Sequence, residues 1–283
     1  VGYDWTPSSD LHGYPALIMH PNNHMYMFYG AHHENISLMK SGYKDPDSWT
    51  FMGNVTDGGT YPQPLLVNGS EIYMFFRYDN PTNGDYAYMR STDEGVSWSR
   101  RVLIKPDSGF VYGRSIYNND TQKVHIAFRI TEPDRKGVYY AYLDLSDMHL
   151  YNKTGYDFGY KITQSEFDEC QFYWGNKTNG DFFLFGDTPH YIVNDEMDTF
   201  DSRYYHTYFD SSIGNFTSPM FIRGNSKPTE GMDGWVFDND TIEMYLSANG
   251  SVEKWFYDGV SWVFNETILN GSVDYGIDGV GQP

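Results

Sequence analysis

The sequence predicts an all-β fold, a β-propeller of four-stranded antiparallel blades, on three observations. Aromatic residues make up 18% of the 283 positions (26 Tyr, 19 Phe, 7 Trp), beside 28 Gly. That mixture suits short strands and tight turns, whereas helices draw on Ala, Leu, Glu and Lys. No window carries a sustained 3.6-residue apolar period. Short apolar strands and turns also recur loosely, four strands to a unit of roughly 45 to 60 residues, as propeller blades do.

Taken in order, the first unit starts near His12 and runs through Met25–Tyr29 and 36–40 to 49–52. The second begins at Tyr61, passes through 71–77 and 86–91, and ends at 98–104. A third opens at Val111-Tyr-Gly-Arg-Ser-Ile-Tyr117 and continues through 124–130, 138–143 and 149–151. The fourth is expected to open at Cys170-Gln-Phe-Tyr-Trp174, followed by 182–185, 204–209 and 220–222. The fifth comprises 234–237, 242–246, 252–257 and 262–265. No linker or composition shift divides them, so residues 1–283 read as a single propeller domain of five blades. Residues 273–280 look like an opening strand and 1–7 like a final strand. Either these are spare, or a partner or neighbouring repeat completes a sixth blade, because an unpaired strand edge invites self-association.

The sharpest local motif is Ser91-Thr-Asp93-Glu-Gly95-Val-Ser-Trp98, with degenerate echoes at Asp45-Pro-Asp-Ser-Trp49 and Tyr257-Asp-Gly-Val-Ser-Trp262. It matches the Asp-box pattern between the third and fourth strands of a blade. The Asp carboxylate accepts turn N–H groups, Gly permits positive φ, and Trp packs beneath. The motif speaks for fold and says little about chemistry.

A formal net charge of −19, from 38 acidic and 19 basic residues, disfavours nucleic acid and anionic membrane surfaces as partners. No stretch approaches the twenty apolar residues of a membrane span. The single cysteine, Cys170, precludes an internal disulfide and reads as a small buried residue. The chain starts at Val1, as a processed product or an excerpt would. Asn-X-Ser/Thr sequons occur at Asn35, Asn54, Asn68, Asn119, Asn152, Asn176, Asn215, Asn239, Asn249, Asn265 and Asn270. Chance would supply roughly two or three. The excess predicts an extracellular or cell-surface glycoprotein bearing N-linked glycans.

Function concentrates between Leu11 and Phe76. His12 and Tyr61 stand at equivalent openings of the first two units, and His32 and Arg77 at the ends of their second strands. Two neighbouring blades thus present matching pairs on one rim. Because strand side chains alternate, only one of His32 and His33 can face the channel.

The motifs His12-x-x-Pro-Ala-Leu17, Phe28-Tyr-Gly-Ala-His32, Thr60-Tyr-Pro-x-Pro64 and Phe75-x-Arg77 before an Asp box resemble the BNR-repeat propeller polysaccharide lyases, the ulvan lyases and rhamnose–glucuronate lyases. The resemblance is clearest from about Leu11 to Tyr142. It implies a lyase acting on acidic, uronate-containing polysaccharides by β-elimination, with His12, His32, Tyr61 and Arg77 as the catalytic set and no required cofactor. Arg77, helped by His12, would neutralise the uronate carboxylate; a neutral His32 or a deprotonated Tyr61 would take the C5 proton. His33, Tyr112, Arg114 and Arg129 are expected to bind substrate, and Trp174 and Trp235 to stack on sugar faces. Family members usually have seven blades, more than this chain can supply.

Asp168, Glu169, Asp233 and Asp278 sit at later blade openings, where carboxylates could hold a structural Ca²⁺ or simply face solvent. No zinc-ligand spacing occurs among the nine histidines. Two other functions compete. One is a glycosylated surface or fibre-forming propeller without required catalysis. The other is a sialidase-like glycosidase, disfavoured because neither a three-arginine carboxylate clamp nor a Tyr/Glu nucleophile pair is apparent.

Overall fold

Short strands that are apolar on both faces must be covered twice, and the fold meets that demand by stacking sheets face to face. The computed structural model describes residues 15–30, 33–79, 83–131, 137–175, 178–196, 202–225, 232–236, 242–248 and 251–270. Strands β1 (Ala16–Met19), β2 (Met25–Tyr29), β3 (Ser37–Gly42) and β4 (Asp45–Asn54) form the first antiparallel meander. The second comprises β5 (Thr60–Val67), β6 (Glu71–Asp79), β7 (Asn83–Ser91) and β8 (Ser99–Lys105).

In the third unit, β9 (Gly109–Asn118), β10 (Lys123–Ile130) and β11 (Gly137–Asp144) carry a divided outer edge. Strand β12 (Leu150–Tyr151) covers the end of β11, and β13 (Asp157–Gly159) pairs with β12. After β14 (Ile162–Thr163) and the short helix α1 (Phe167–Cys170), β15 (Gln171–Trp174) covers the beginning of β11, Gly137 opposite Trp174. The expected opening of the fourth unit at Cys170–Trp174 is therefore corrected: this stretch closes the third. The fourth opens instead at β16 (Thr178–Phe185), followed by β17 (Thr188–Glu196), β18 (Ser202–Asp210), β19 (Asn215–Phe216) and β20 (Met220–Asn225). Finally β21 (Met232–Val236), β22 (Ile242–Ala248), β23 (Ser251–Tyr257) and β24 (Trp262–Asn270) form a four-stranded antiparallel sheet.

Alternation along the middle strands divides the core among neighbours. On β6, Ile72, Met74 and Phe76 pack toward Tyr26, Phe28 and Leu38 of the first sheet. The intervening Tyr73 and Phe75 pack toward Val124, Ile126 and Phe128 of the third unit. On β16, Phe182 meets Tyr140 and Tyr173, while Phe183 joins Met244, Leu246 and Trp262 of the last sheet. Successive units are thus joined by apolar layers, the all-β architecture of propeller-type proteins. Cys170 is fully buried within one of these layers, and burial pushes its thiol up to about 12.

The Asp box is built as its residues dictate. Asp93 accepts from the Ser97 N–H and the Ser91 hydroxyl, Gly95 sits at φ +84°, and Trp98 Nε1 donates to the Gly95 carbonyl at 3.1 Å. The Ser97 and Ser91 bonds hold the Asp93 carboxyl down at about 2. The echo at Asp45 repeats the scheme, with Trp49 Nε1 donating to the Pro46 carbonyl at 2.9 Å. Among the described residues no helix is long and apolar enough to cross a membrane.

Candidate active site

Strands β5 and β6 fall out of step at one place. Thr60 faces Arg77 but Gln63 faces Phe75, so three steps on β5 match two on β6. The extra residue is absorbed as a bulge at Tyr61, which adopts φ +60°. Pro62 contributes, because a following proline disfavours the right-handed helical region. A left-handed conformation costs a bulky residue about 1–2 kcal/mol, and bulges commonly re-aim a side chain beside a site. Here the Tyr61 ring turns toward the neighbouring unit, its centroid 5.5 Å from that of Tyr112 on β9.

Arg77, 2% exposed, lies beneath these rings. Its guanidinium carbon is 5.1 Å from the Tyr61 ring centre, 4.9 Å from Tyr112 and 5.0 Å from Phe110. Its Nε–H donates to Asp79 at 2.6 Å. Arg129, opposite Tyr112 in the β9–β10 register, also stacks on that ring, its guanidinium carbon 4.9 Å from the ring centre. Arg114 reaches the buried Asp181 carboxylate at 3.2 Å.

A hydrogen-bonded floor ties the two units together: Gln63 Nε2 donates to the Gly113 carbonyl at 2.6 Å, and Gln63 Oε1 accepts from Ser115 N–H and Tyr86 O–H. A side chain at Gly113 would strike the Tyr86 ring at 2.6 Å, so only glycine leaves the space open. The result is a cavity of about 210 Å³ lined by Tyr61, Arg77, Tyr112, Arg114, Arg129 and Tyr191, among others.

Five of the anticipated residues thus meet. Arg77, Arg114 and Arg129 converge on one cavity, a three-arginine cluster that was not apparent in the sequence. Its described lining includes no Asp or Glu. Burial, reinforced by Tyr112, raises the Tyr61 phenol well above its ordinary value, although Arg77 and Arg129 pull the other way. Tyr61 is therefore a protonated phenol near neutral pH.

His33 stands at the edge of the same cluster. Its Nδ1 lies 3.3 Å from Asp79 Oδ2, the side chain is 48% exposed, and its ring centre is 6.2 Å from that of Phe110. His12 and His32 lie outside the described residues. Trp174 is 70% exposed at the end of the third unit's outer strand, while Trp235 belongs to a strand whose side chains are not described.

Asp79 and Thr60 are participants that the motif reading missed. The two-residue spacing of Arg77 and Asp79 on one strand was the available signal, since such residues share a face. Asp168 and Glu169 fall in α1 rather than at a blade opening; Asp278 and the Asp233 side chain are outside the description. Among the described residues, no group of three or more His, Cys, Asp or Glu could hold a metal ion.

Six sequon asparagines, Asn35, Asn54, Asn68, Asn119, Asn215 and Asn265, are exposed. Asn152 is a correction. It is 2% exposed, its amide donates to the Glu169 carbonyl, and its carbonyl accepts from Thr154 and Tyr156. A glycan there has no room. Asn176, Asn239 and Asn249 lie outside the described residues, as does the Asn270 side chain.

Fold and site together define an all-β, propeller-type protein with a cationic, phenol-lined cavity. Residues 3–216 match the model of the BNR repeat-containing family, and the chain belongs to that family. Curated relatives include an ulvan lyase of Alteromonas sp. (strain LOR), 28% identical over 110 residues, with 33% of this chain and 22% of that one covered. Another is an ulvan lyase of Nonlabens ulvanivorans, 24% identical over 172 residues, with 48% of this chain and 36% of the other covered. The matches therefore span well under half the length of these relatives. Among solved structures, a PL25 ulvan lyase superposes with a TM-score of 0.78 at 16% identity, covering 92% of this chain and 71% of that chain. The same type of enzyme bound to -[GlcA(1-4)Rha3S]- gives 0.77 at 16% identity, with the same coverage. A Hadza microbial sialidase reaches 0.56 at 12% identity, covering 88% and 57%. These likenesses establish the fold.

Proposed function

We propose that this protein is an extracellular polysaccharide lyase cleaving uronate-containing glycans by β-elimination. The observation that carries the reading is the bulged, protonated Tyr61 held over Arg77 at the wall of a three-arginine cavity. The resemblance of the Thr60–Arg77 motifs to ulvan lyases points the same way.

Arg77 draws electron density from the uronate carboxylate and makes the C5 proton more acidic. His33, or His32 beside it, accepts that proton. The C4–O bond breaks with its electron pair on the leaving oxygen, Tyr61 donates its phenolic proton to that oxygen, and a C4–C5 double bond remains. A phenol raised by burial supports the acid role for Tyr61, with histidine as the base. Tyr112, Arg114 and Arg129 hold the neighbouring sugars, and His12 supports the carboxylate. A sialidase-like glycosidase is less well supported, because the described lining offers no Glu to pair with a Tyr nucleophile. The ring is proposed to contain five blades in one domain, with N-glycans on the exposed sequons.

The test is incubation with ulvan, gum arabic and pectin-type glycans while absorbance near 235 nm is followed, where the unsaturated product absorbs. Rising absorbance that is lost in Tyr61→Phe is the expected result; no signal on any uronate polymer would overturn the proposal.

One observation favours a second reading, a self-associating surface protein. Leu17, Met27, Met39 and Phe51 form a cross-strand apolar row on the first sheet, with Leu17 56% and Phe51 47% exposed. Light scattering that finds only monomers across the micromolar range would remove it.

A further inference from the structure

Three groups around the cavity edge share one carboxylate. Asp79, its side chain 4% exposed, accepts the Arg77 Nε–H on Oδ1 at 2.6 Å and the Thr60 hydroxyl on Oδ2 at 2.6 Å. The same Oδ2 faces His33 Nδ1 at 3.3 Å. Thr60 closes the circuit, its hydroxyl oxygen accepting from the His33 backbone N–H at 3.2 Å and from Arg77 Nη2 at 3.3 Å. The His33 backbone is at φ +62°, in the left-handed region, so this placement is maintained against a conformational cost.

We infer that Asp79 is a positioning residue that couples the carboxylate-binding Arg77 to His33, fixing the guanidinium plane and the imidazole tautomer together. The inference rests on the lyase reading for its catalytic consequence, but its structural part stands without turnover.

The physical argument is donor and acceptor accounting. An ionised carboxylate only accepts. In a neutral ring the nitrogen facing it, Nδ1, carries the proton, which makes Nε2 the acceptor nitrogen. On the other oxygen, the Nε bond fixes the rotation of the guanidinium fork. Thr60, itself 2% exposed, bonds both the His33 backbone and the Arg77 guanidinium and so ties the two together. One carboxylate thus sets the two groups that must act on adjacent atoms of the sugar, the C5 hydrogen and the carboxylate it neighbours. Outer partners that orient metal-bound histidines matter by about 10–100-fold, and a partner that orients a histidine without metal is expected to matter to the same order.

Asp79→Asn is nearly isosteric and separates this role from packing. Its amide oxygen can still accept from Arg77, which turns the NH₂ toward Thr60 and His33. Nδ1 must then accept, and the proton moves to Nε2. The experiment uses the whole chain with ¹⁵N-labelled histidine. Long-range ¹H–¹⁵N correlation identifies His33 by the loss of its signals in His33→Gln and reads which ring nitrogen is protonated.

The expected result is Nδ1–H in the wild type and Nε2–H in Asp79→Asn. On ulvan, kcat should fall by about 10–100-fold with KM changed by less than about threefold. A wild-type His33 with its proton on Nε2 would overturn the inference, and that measurement stands even if the variant does not fold. Unchanged kcat in a folded Asp79→Asn would overturn it too. If the wild type cleaves no uronate polymer but the tautomer switches as expected, the lyase reading fails and the positioning role of Asp79 stands.

Discussion

The fourth and fifth units meet over a buried pair of histidines, and acidification should separate them. His190 and His206 are 5% and 1% exposed, with His190 Nδ1 and His206 Nε2 2.9 Å apart. Their surroundings are aromatic: Phe183, Phe185 and Tyr208 on the fourth unit, Tyr257 and Trp262 on the last. Burial depresses His190 to about 4, and burial plus its neighbour depresses His206 to about 3. Both are bases whose folded values lie below the unfolded one. The unfolded chain therefore takes up protons that the folded chain refuses, and stability falls as pH drops below about 6.5 toward those values.

At pH 5 the difference is about 1.5 pH steps for each ring, or about 2 kcal/mol per histidine and about 4 kcal/mol for the pair. The assay is urea unfolding at pH 7 and pH 5 of the wild type and of the His190→Phe/His206→Phe double variant, which cancels the contribution of the other histidines. The wild type should lose about 4 kcal/mol more than the variant between the two pH values. Equal losses in the two proteins would refute the reasoning.

Other outcomes follow from particular contacts. Tyr61→Phe removes one oxygen from the cavity wall and should lower kcat by about 10²–10⁴-fold with KM little changed, as measured by absorbance near 235 nm. Phe76→Ala opens a hole between the first two sheets, where Phe76 is fully buried, and should cost about 3–5 kcal/mol in denaturant titration. Asn152 should be unmodified in glycopeptide mass spectrometry of protein secreted from a eukaryotic host. Asn152→Ala should destabilise by about 1–3 kcal/mol because it strands the backbone groups that the amide now satisfies.

Much of the fold was legible because its signals are local. The aromatic, glycine-punctuated strands of β5 to β11 appear close to where the apolar runs place them. The Asp box at Ser91–Trp98 closes with the bonds its residue types require, and the Asp45–Trp49 echo closes likewise. The outer edge of the third unit was not legible. Gln171–Trp174 carries the same apolar, aromatic pattern whether it opens a unit or closes one, and only its pairing with Gly137–Tyr139 distinguishes the two. Asn152 misled for a similar reason: a sequon is defined by three residues, whereas burial is decided by Glu169 and Tyr156, which close over it.

The site divides along the same line. By itself the sequence determined that Tyr61, at a unit opening, and Arg77, at the end of the next strand, form one pair, and that Tyr112 and Arg129 repeat the arrangement one unit later. Hairpin neighbours follow from chain order, so spacing suffices to pair them. Tertiary structure alone decided that the two pairs share a cavity with Arg114, that a bulge turns Tyr61 toward Tyr112, and that Asp79 joins Arg77 to His33. Those relations depend on how far one sheet is rotated against the next and on a single extra residue in one strand. Both are set by side-chain packing between units distant in sequence, a quantity that no local pattern of residues encodes.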